Sequence, residues 1–321
     1  MTTPARAEVP SGTVVVVGEA LVDVVPGPAG GEPRDLPGGS PANVAVTLGR
    51  LGRTPVLVTS LADDARGRAV RAWLEASDVR VAADAPASGR TSTAVVRLAR
   101  DGSASYEFDL AWDVTPGTLG RAAAADDLAV LHAGSIATVL APGADVVEAA
   151  MRAARGSALV TFDPNARPAI TPDVDGVRDR VERLVGLSDV VKVSEEDLGW
   201  YYPGVDPLDA ARRWAEAGPV LVVVTFGGDG SVLVRGGDTV RVAGRTVVVA
   251  DTIGAGDTFM GALLDALLGL GVHGSAAREV LAELTVDQLR SAAGWAAAAA
   301  AVTVSRPGAD PPTRAELVAA T

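Results

Sequence analysis

The segment VVVADTIGAGDTFMGALLDALL occupies residues 247–268 and reads as an apolar strand, a glycine-bearing turn and an apolar helix that begins near Asp257. Backbone amides at the start of a helix have no partner within the helix itself. The turn therefore directs the amides of Gly254, Ala255 and Gly256 toward one point, to which the positive end of the helix dipole adds. The segment predicts an anion-binding turn inside an α/β fold.

Asp257 places a carboxylate beside this anion-binding turn, where it would repel a bound phosphate. That charge is useful if Asp257 removes the proton of a hydroxyl that then attacks phosphorus. A simpler interpretation is that Asp257 caps the helix and the glycines only turn the chain. A dinucleotide fingerprint is disfavoured, because Gly254 and Gly256 form GxG but the third glycine would fall at Phe259.

A second glycine-rich element, LPGGSPANVAVTLGRLG, occupies residues 36–52 and leads into a helix that starts near Pro41. Bare backbone at Gly38 and Gly39 lets a ligand approach closely. Asn43 offers both hydrogen-bond donors and acceptors to hydroxyl groups. The element predicts a ligand-binding turn, although an ordinary capped junction between a loop and a helix has the same pattern.

Apolar runs rich in β-branched residues recur along the chain, with helical patterns between them. Such continuous runs indicate strands covered on both faces, and their alternation with helices indicates a mainly parallel sheet. We therefore predict a three-layer, Rossmann-like α/β fold in which residues 1–321 form one domain. Strands are predicted at Val14–Val17, Pro55–Leu61, Leu128–Ala133, Ala158–Phe162, Val190–Val193, Val220–Phe226 and Thr246–Ala250, and helices at Pro41–Leu51, Ala65–Glu75, Ala144–Ala154, Pro207–Glu216 and Thr258–Leu268.

Two stretches, at about residues 20–36 and 91–110, interrupt this alternation. The second reads as two strands joined at Asp101-Gly102, which favours a hairpin. Neither stretch carries a helix to cover it. We therefore predict a small β-sheet that stands off the main body and acts as a lid.

Further polar groups occur where predicted strands end. In an open parallel sheet, ligands bind beyond the carboxyl ends of the strands, so these groups are expected to converge on one site. Taken singly, each is also explained as a turn or a helix cap. The groups are Asp163, Asn165 and Arg167, then Ser194 to Asp197, then Thr225 to Gly230.

The composition excludes several partners. Hydrophobic residues make up 48% and charged residues 21% of the chain, as in ordinary globular proteins. A net charge of -12 repels phosphate backbones and anionic membranes, so we expect neither nucleic acid nor membrane as a partner. No apolar run reaches the ~18 residues that span a bilayer, and the N-terminus lacks a signal-peptide core. A cytoplasmic protein is expected.

Rare residues exclude further chemistry. The chain has no cysteine, which excludes thiol nucleophiles, disulfides and cysteine-ligated zinc. Its two histidines, His132 and His273, lack the HExxH spacing of zinc hydrolases. Its single lysine, Lys192, follows no glycine loop, which excludes a Walker A motif and therefore the P-loop kinases.

The two glycine elements, GGSPANVA and DTIGAGDTF in this order, resemble the two signatures of the ribokinase-like carbohydrate kinases, also called the phosphofructokinase-B family. The resemblance spans nearly the whole chain. It implies transfer of the ATP γ-phosphoryl group to a sugar or nucleoside hydroxyl, with magnesium and a role for potassium. DPNARP and the LHAGS segment at His132 resemble fructokinase-type members.

The resemblance also implies roles by position. Asp257 matches the catalytic base, and Gly254, Ala255 and Gly256 match the anion hole. Sugar-binding positions are Asp23, Gly38, Gly39, Asn43, Asn165 and Arg167, and nucleotide-binding positions are Lys192, Ser194, Thr225, Gly227 and Gly230. Metal positions are Asp197 for magnesium, and Asp251 with the backbone near Ile253 and Gly308 for potassium.

Two departures from the family pattern occur. The NxxE motif associated with magnesium is replaced by Ser194 and Asp197. The last glycine of the potassium site is Gly308. The serine that often follows this glycine in the family is absent here, where the sequence ADPP follows at residues 309–312. These departures leave the magnesium contact and potassium dependence open.

Fructose is the favoured sugar. A kinase for sugar acids such as 2-keto-3-deoxygluconate needs a cation to pair with the substrate carboxylate, whereas the predicted lid strand offers Glu107 and Asp109. Arg97 and Arg167 could pair with a substrate carboxylate, so a sugar acid stays an alternative substrate. Ribose and nucleosides are further alternatives. A catalytically silent sugar or nucleotide sensor is the alternative outside enzymes, and a homodimer through the lid edges is also open.

Overall fold

A computed structural model describes residues 12–27, 31–98, 104–123 and 127–321 of the chain. The strands of this part form one large and one small sheet. They are β1 (Thr13–Val17), β2 (Leu21–Val25), β3 (Arg34–Gly38), β4 (Val56–Ser60), β5 (Arg80–Asp84), β6 (Thr93–Leu98), β7 (Ala104–Asp109), β8 (Leu128–Gly134), β9 (Leu159–Asp163), β10 (Val190–Ser194), β11 (Leu221–Thr225), β12 (Gly230–Arg235) and β13 (Asp238–Ala243).

The large sheet has nine strands among the described residues, in the order β13-β12-β11-β10-β9-β8-β1-β4-β5. The strands from β11 to β5 pair in parallel, and β12 and β13 extend the edge as antiparallel strands. The parallel strands therefore share one edge at which their carboxyl ends meet, which is where ligands bind in such sheets.

Helices cover both faces of the large sheet. They are α1 (Ser40–Arg50), α2 (Ala65–Glu75), α3 (Pro116–Ala123), α4 (Gly143–Ala154), α5 (Val174–Leu187), α6 (Glu195–Tyr201), α7 (Pro207–Ala217), α8 (Ala255–Gly269), α9 (Ala277–Glu283), α10 (Val286–Val304) and α11 (Arg314–Ala320). Alternate valines of β1 belong to two separate cores, one formed with α1, α8 and α10 and the other with α3 to α7. The predicted three-layer α/β fold is confirmed.

The small sheet has the order β3-β2-β6-β7. It combines two stretches that are distant in sequence, because β2 pairs in parallel with β6. The predicted small β-sheet is thereby confirmed, with β6 and β7 as an antiparallel pair, and its action as a lid stays a prediction. The predicted turn at Asp101-Gly102 lies outside the described residues.

The strand predicted at Thr246–Ala250 is wrong. These residues follow β13, which already occupies the edge of the sheet, and they pair with no strand in the described part of the chain. Val248 is 88% exposed, and the amides of Ala250 and Asp251 donate to the Val304 carbonyl at the end of α10. The apolar run thus leads from the sheet edge to α8 without joining the sheet.

Helices α1 and α8 cross at close range, with Gly261 of α8 against Thr47 of α1. A Cβ atom at Gly261 would lie 2.7 Å from the Thr47 Cβ and 3.1 Å from the Val44 carbonyl oxygen. The missing side chain allows this approach. Asn43 lies one turn before Thr47 and Asp257 one turn before Gly261, so the crossing brings the two glycine-rich elements together.

A buried cluster around Asp265 fastens the same helices farther along. The Arg53 guanidinium contacts the Asp265 carboxylate at 2.6 Å, with both side chains almost fully buried. Arg314 of α11 contacts that carboxylate at 2.6 Å, and the Trp295 indole donates to it at 3.0 Å. A buried charge with this many donors holds α1, α8, α10 and α11 in one arrangement.

Among the described helices, none is by itself both long and apolar enough to cross a membrane. The alanine-rich stretch Ser291–Ala301 lies within α10.

Candidate active site

Asp257 lies in the first turn of α8 and receives hydrogen bonds from three residues, two on α1 and one on the loop after β9. Ser40 Oγ donates to its Oδ1 at 2.7 Å, and Asn43 Nδ2 donates to its Oδ2 at 2.8 Å. Asn165 Nδ2, from the loop after β9, donates to Oδ1 at 3.2 Å and to Ser40 Oγ at 2.7 Å. Asp257 is 6% exposed. Its carboxylate is therefore oriented by neutral donors at the carboxyl edge of the sheet.

Gly254 precedes α8 in the left-handed region, with φ of 74°, which favours glycine at this turn. Within the described residues, the amides of Gly254 and Gly256 make no hydrogen bond. The Ala255 amide donates to the Thr252 carbonyl at 3.3 Å. Because two amides at the positive end of a 15-residue helix are available beside Asp257, this turn is suited to bind an anion.

Lys192 on β10 adds a buried cation to the turn. Its Nζ lies 3.0 Å from Asp163 Oδ2 at the end of β9, and both residues are at most 3% exposed. A Cβ atom at Gly256 would lie 3.0 Å from the same Nζ, so glycine at 256 makes room for the ammonium group. The turn is thus reinforced by a positive charge.

The charges of this pair follow from burial and contact. Burial by itself lowers the pKa of Lys192, but the carboxylates of Asp163, Asp197 and Asp257 together outweigh it and the net pKa is raised. Burial raises the pKa of Asp163 to about 6 despite the Lys192 ammonium. Asp163 Oδ1 is buried and has no partner among the described residues. At neutral pH the pair is an ammonium and a carboxylate with one free acceptor.

Predicted sugar-binding residues from the small sheet and from the loop after β9 lie near one another. Asp23 on β2 faces Gly38, where a Cβ atom would lie 2.5 Å from its Oδ2. Burial raises the pKa of Asp23, and the Arg167 guanidinium opposes that rise. Arg167 Nη1 donates to Asn165 Oδ1 at 2.6 Å and to the Asn165 carbonyl at 3.0 Å. Gly39, with φ of 110°, precedes α1.

The predicted nucleotide-binding residues lie at the adjacent strand ends. Ser194 and Thr225 are register partners at the carboxyl ends of β10 and β11. Gly227 and Gly230 flank the next turn with φ of 51° and 103°. At Gly230 a Cβ atom would lie 2.1 Å from the Val242 carbonyl oxygen, so only glycine fits there.

Asp197, predicted to contact magnesium, forms a capping box with Ser194. Ser194 Oγ accepts from the Asp197 amide at 3.0 Å, while Asp197 Oδ2 accepts from the Ser194 amide at 3.5 Å. Asp197 Oδ1 accepts from the Ala166 amide at 3.1 Å. The Ser-x-x-Asp sequence therefore caps α6 and holds the loop that carries Asn165. Across the described residues, no group of three acidic or imidazole side chains that could hold a metal ion is found.

The residues predicted for a potassium site form a separate loop. Asp251 Oδ1 accepts from the Ile253 amide at 3.0 Å, and its Oδ2 accepts from the Gly308 amide at 2.9 Å. Ala309, next to Gly308, packs against Gly254, where a Cβ atom would lie 2.6 Å from its own. The loop therefore contacts the anion-binding turn directly.

Sequence reasoning missed Ser40 and Glu19. Ser40 stands before a proline at the start of a helix, which indicates no more than a cap, and its contact with Asp257 spans 217 residues. Glu19 is 7% exposed at the carboxyl end of β1 and belongs to no motif. The signal in the sequence was an acidic residue shortly after an apolar strand, which the structure shows to be buried beside the site.

Comparisons with known proteins identify the family. The family model of the pfkB family carbohydrate kinases matches residues 11–316. The chain belongs to the pfkB family of carbohydrate kinases. A curated relative, the fructokinase of Klebsiella pneumoniae, is 37% identical over 278 residues, which are 82% of this chain and 86% of the relative.

Solved structures of the family share the fold. A fructokinase with bound ATP from Xylella fastidiosa aligns with a TM-score of 0.84 and 26% identity, covering 96% of this chain and 97% of that one. A fructokinase double mutant from Vibrio cholerae O395, bound to fructose, ADP and potassium ion, aligns with a TM-score of 0.80 and 29% identity, covering 96% and 98%. The likeness in fold therefore covers 96% of this chain.

Proposed function

We propose that the chain is an ATP-dependent fructokinase that transfers the γ-phosphoryl group of ATP to a primary hydroxyl of fructose. The observation that carries the proposal is the Asp257 carboxylate, which three neutral donors orient beside the anion-binding turn. A carboxylate needs this placement to act as a base on an incoming alcohol. Helix capping alone would not require donors from α1 and from the loop after β9.

The reaction follows from these groups. Asp257 accepts the proton of the sugar hydroxyl, and the hydroxyl oxygen forms a bond to the γ-phosphorus. The bond between that phosphorus and the oxygen bridging to the β-phosphate breaks, and ADP leaves. The amides of Gly254 and Gly256 and the Lys192 ammonium are placed to stabilise charge on the transferred group. Asn43 Oδ1, buried and without a partner among the described residues, is free to accept from a sugar hydroxyl.

Magnesium bound with ATP would neutralise phosphate charge. Asp197 is the carboxylate on the nucleotide side that fits this role. Both its oxygens already accept backbone amides, so a water molecule between carboxylate and ion suits the site better than direct ligation. The Asp251 loop is the proposed potassium site, and comparing turnover in potassium and in choline buffers tests it.

Charge balance favours a neutral sugar. Arg167 is the cation that acts on both Asp23 and Glu19, and its guanidinium is already bonded to Asn165. On the lid, Asp109 pairs with Arg90 at 3.0 Å. A sugar acid would therefore find the Arg167 charge already offset. The Arg97 side chain lies outside the described part. Fructose is also the sugar in the Vibrio cholerae relative, which supports the same choice.

We further propose that residues 1–321 act as one unit in the cytoplasm, where ATP and free sugar are both present. A net charge of -12 supports the absence of nucleic-acid and anionic-membrane partners. A homodimer through the lid is proposed because β3 forms an edge of the small sheet and its Leu36 is 39% exposed. Light scattering tests the dimer, which a monomeric mass would contradict.

A sugar panel tests the function. ADP release is measured with fructose, ribose and 2-keto-3-deoxygluconate for wild type, Asp257→Asn and the surface control Asp287→Asn. Asp287, like Asp257, is acidic and in the first turn of a helix, but it is exposed. We expect fructose to be preferred, Asp257→Asn to lower kcat by about 10²- to 10⁴-fold with ATP binding retained, and the control to match wild type.

Three outcomes would contradict parts of the proposed function. Wild-type turnover in Asp257→Asn would reject the base, and preference for a sugar acid would reject fructose. No ADP formation with any sugar would favour a silent sensor on the same fold.

A further inference from the structure

Glu19 is a buried carboxyl group that the proposed phosphoryl transfer does not use. It follows β1, which lies between β4 and β8 in the large sheet. Its Oε2 accepts from the Ala137 amide at 3.3 Å, and the Ser135 hydroxyl also bonds its side chain. Both partners belong to the 3-10 turn Ser135–Thr138 after β8. The side chain therefore fastens this turn to the end of β1.

The backbone of Glu19 contacts a second element of the site. A Cβ atom at Gly39 would lie 2.5 Å from the Glu19 carbonyl oxygen, so glycine permits close packing of the residue that precedes α1. Ser40 comes next and donates to Asp257. A shift of Glu19 would thus be passed to Ser40.

The turn held by Glu19 packs toward Asn165. Gly134, just before the turn, is so close to Asp163 that a Cβ atom would lie 2.5 Å from the Asp163 carbonyl oxygen. Ser135 has a φ of 55°, and Asn165 has a φ of 40°. Two non-glycine residues in the left-handed region mark backbone that the surroundings must hold in place. Both routes from Glu19 end at the donors that orient Asp257.

The carboxyl group is retained at an energetic disadvantage. Burial raises the pKa of Glu19 to about 7, although its hydrogen bonds and the Arg167 guanidinium act in the other direction. Arg167 is the charged side chain that acts on Glu19, since the turn and the start of α1 present neutral groups. A glutamine of the same shape would avoid this burial of charge. Costly buried groups beside a site point to a functional use.

We propose that Glu19 is a positioning residue of the sugar subsite, and that its ionised form holds the turn Ser135–Thr138 and the start of α1 so that Ser40 and Asn165 orient Asp257. A proton on Glu19 replaces an acceptor with a donor, facing the Ala137 amide and the Ser135 hydroxyl. The turn then loosens and sugar affinity falls. The inference rests on the proposed function.

The test compares wild type, Glu19→Gln and the exposed control Glu216→Gln between pH 6 and pH 8. KM for fructose, KM for ATP and kcat are measured by ADP release. In wild type, KM for fructose is expected to rise up to about tenfold from pH 8 to pH 6, since that range takes a group with this pKa from mostly ionised to mostly protonated. KM for ATP should change much less. Glu19→Gln should flatten the fructose profile, and the control should keep it.

The outcomes separate a positioning role from a structural one. A merely structural Glu19 would change melting temperature and leave the pH profile of KM for fructose as in wild type. That result, or a flat wild-type profile, overturns the inference. Circular dichroism confirms that Glu19→Gln is folded. No phosphorylation of any sugar by wild type would instead mean that the proposed function has failed.

Discussion

Replacing Gly261 by alanine tests whether the crossing of α1 and α8 sets the geometry of the site. The added Cβ would lie 2.7 Å from the Thr47 Cβ, 2.8 Å from its Cγ2 and 3.1 Å from the Val44 carbonyl oxygen. Carbon atoms in proteins normally approach to about 3.5–4.0 Å, so the helices must part by roughly 1 Å. The contacted atoms are a β-branched side chain and a helix backbone, neither of which can turn away.

The consequence for the site follows from the position of the crossing. Asn43 and Asp257 each lie one helical turn from it, and their hydrogen bond is 2.8 Å long. Parting the helices by about 1 Å lengthens this bond beyond hydrogen-bonding distance. Misplacement of this size costs about 10²-fold in rate. Overpacking destabilises by about 1–3 kcal/mol, and exchanging glycine for alanine in a helix returns about 1 kcal/mol.

The assay measures kcat by ADP release with fructose, and the free energy of unfolding by urea denaturation. Gly294→Ala is the matched control, because Gly294 also lies within a helix and nothing lies within 4 Å of its added Cβ. We expect the control to gain about 1 kcal/mol of stability with unchanged kcat, and Gly261→Ala to lose about 10²-fold in kcat with at most modest destabilisation. Full turnover in Gly261→Ala would refute the argument.

Two further predictions concern buried charges. Lys192→Arg keeps the charge but changes the shape of the side chain. Because Gly256 lies so close to Nζ, the larger guanidinium should displace the anion-binding turn and lower kcat by about 10²-fold. Steady-state kinetics measure kcat, and an unchanged value would mean that only the charge matters. Glu19→Gln should raise stability at alkaline pH. Burial raises the pKa of Glu19 from 4.5 to about 7, so the folded chain keeps a proton that the unfolded chain releases between these values, and wild-type stability falls as pH rises through that window. Relative to wild type, the free energy of unfolding of the variant should be higher by on the order of 3 kcal/mol near pH 8 and unchanged near pH 4.5. Thermal melts of both proteins measure this, and the same difference between them at both pH values would contradict the prediction.

Most of the strands that the sequence predicted are strongly buried, although β12 is buried as well and was not predicted. Strands β1, β4 and β8 to β11 are covered on both faces, and their apolar runs have few polar interruptions. The same logic failed at Thr246–Ala250, because an apolar run outside the sheet has the same composition as one inside it. Strand β13 was missed because only Val240 and Val242 of its six residues pack against the core, and polar residues separate them.

The site was predicted where a motif carries its own chemistry. Asp257, Asn43 and Asn165 were all named from sequence, and the structure brings them into one hydrogen-bonded group. Ser40 was missed because its role depends on an approach between α1 and α8 that no local pattern encodes. For Ser194 to Asp197 the sequence left a helix cap and a magnesium contact both open. The structure shows the cap as a capping box, and the magnesium contact of Asp197 stays a prediction.

The buried position of Lys192 makes this side chain a specific site for chemical labelling. It is the single lysine of the sequence, and it is 3% exposed. Apart from a terminal amino group, the folded chain therefore offers amine-directed reagents almost nothing on its surface. Acylation of Lys192 would therefore report exposure of its side chain. Comparing the acylation rate with and without nucleotide then shows whether bound nucleotide protects it.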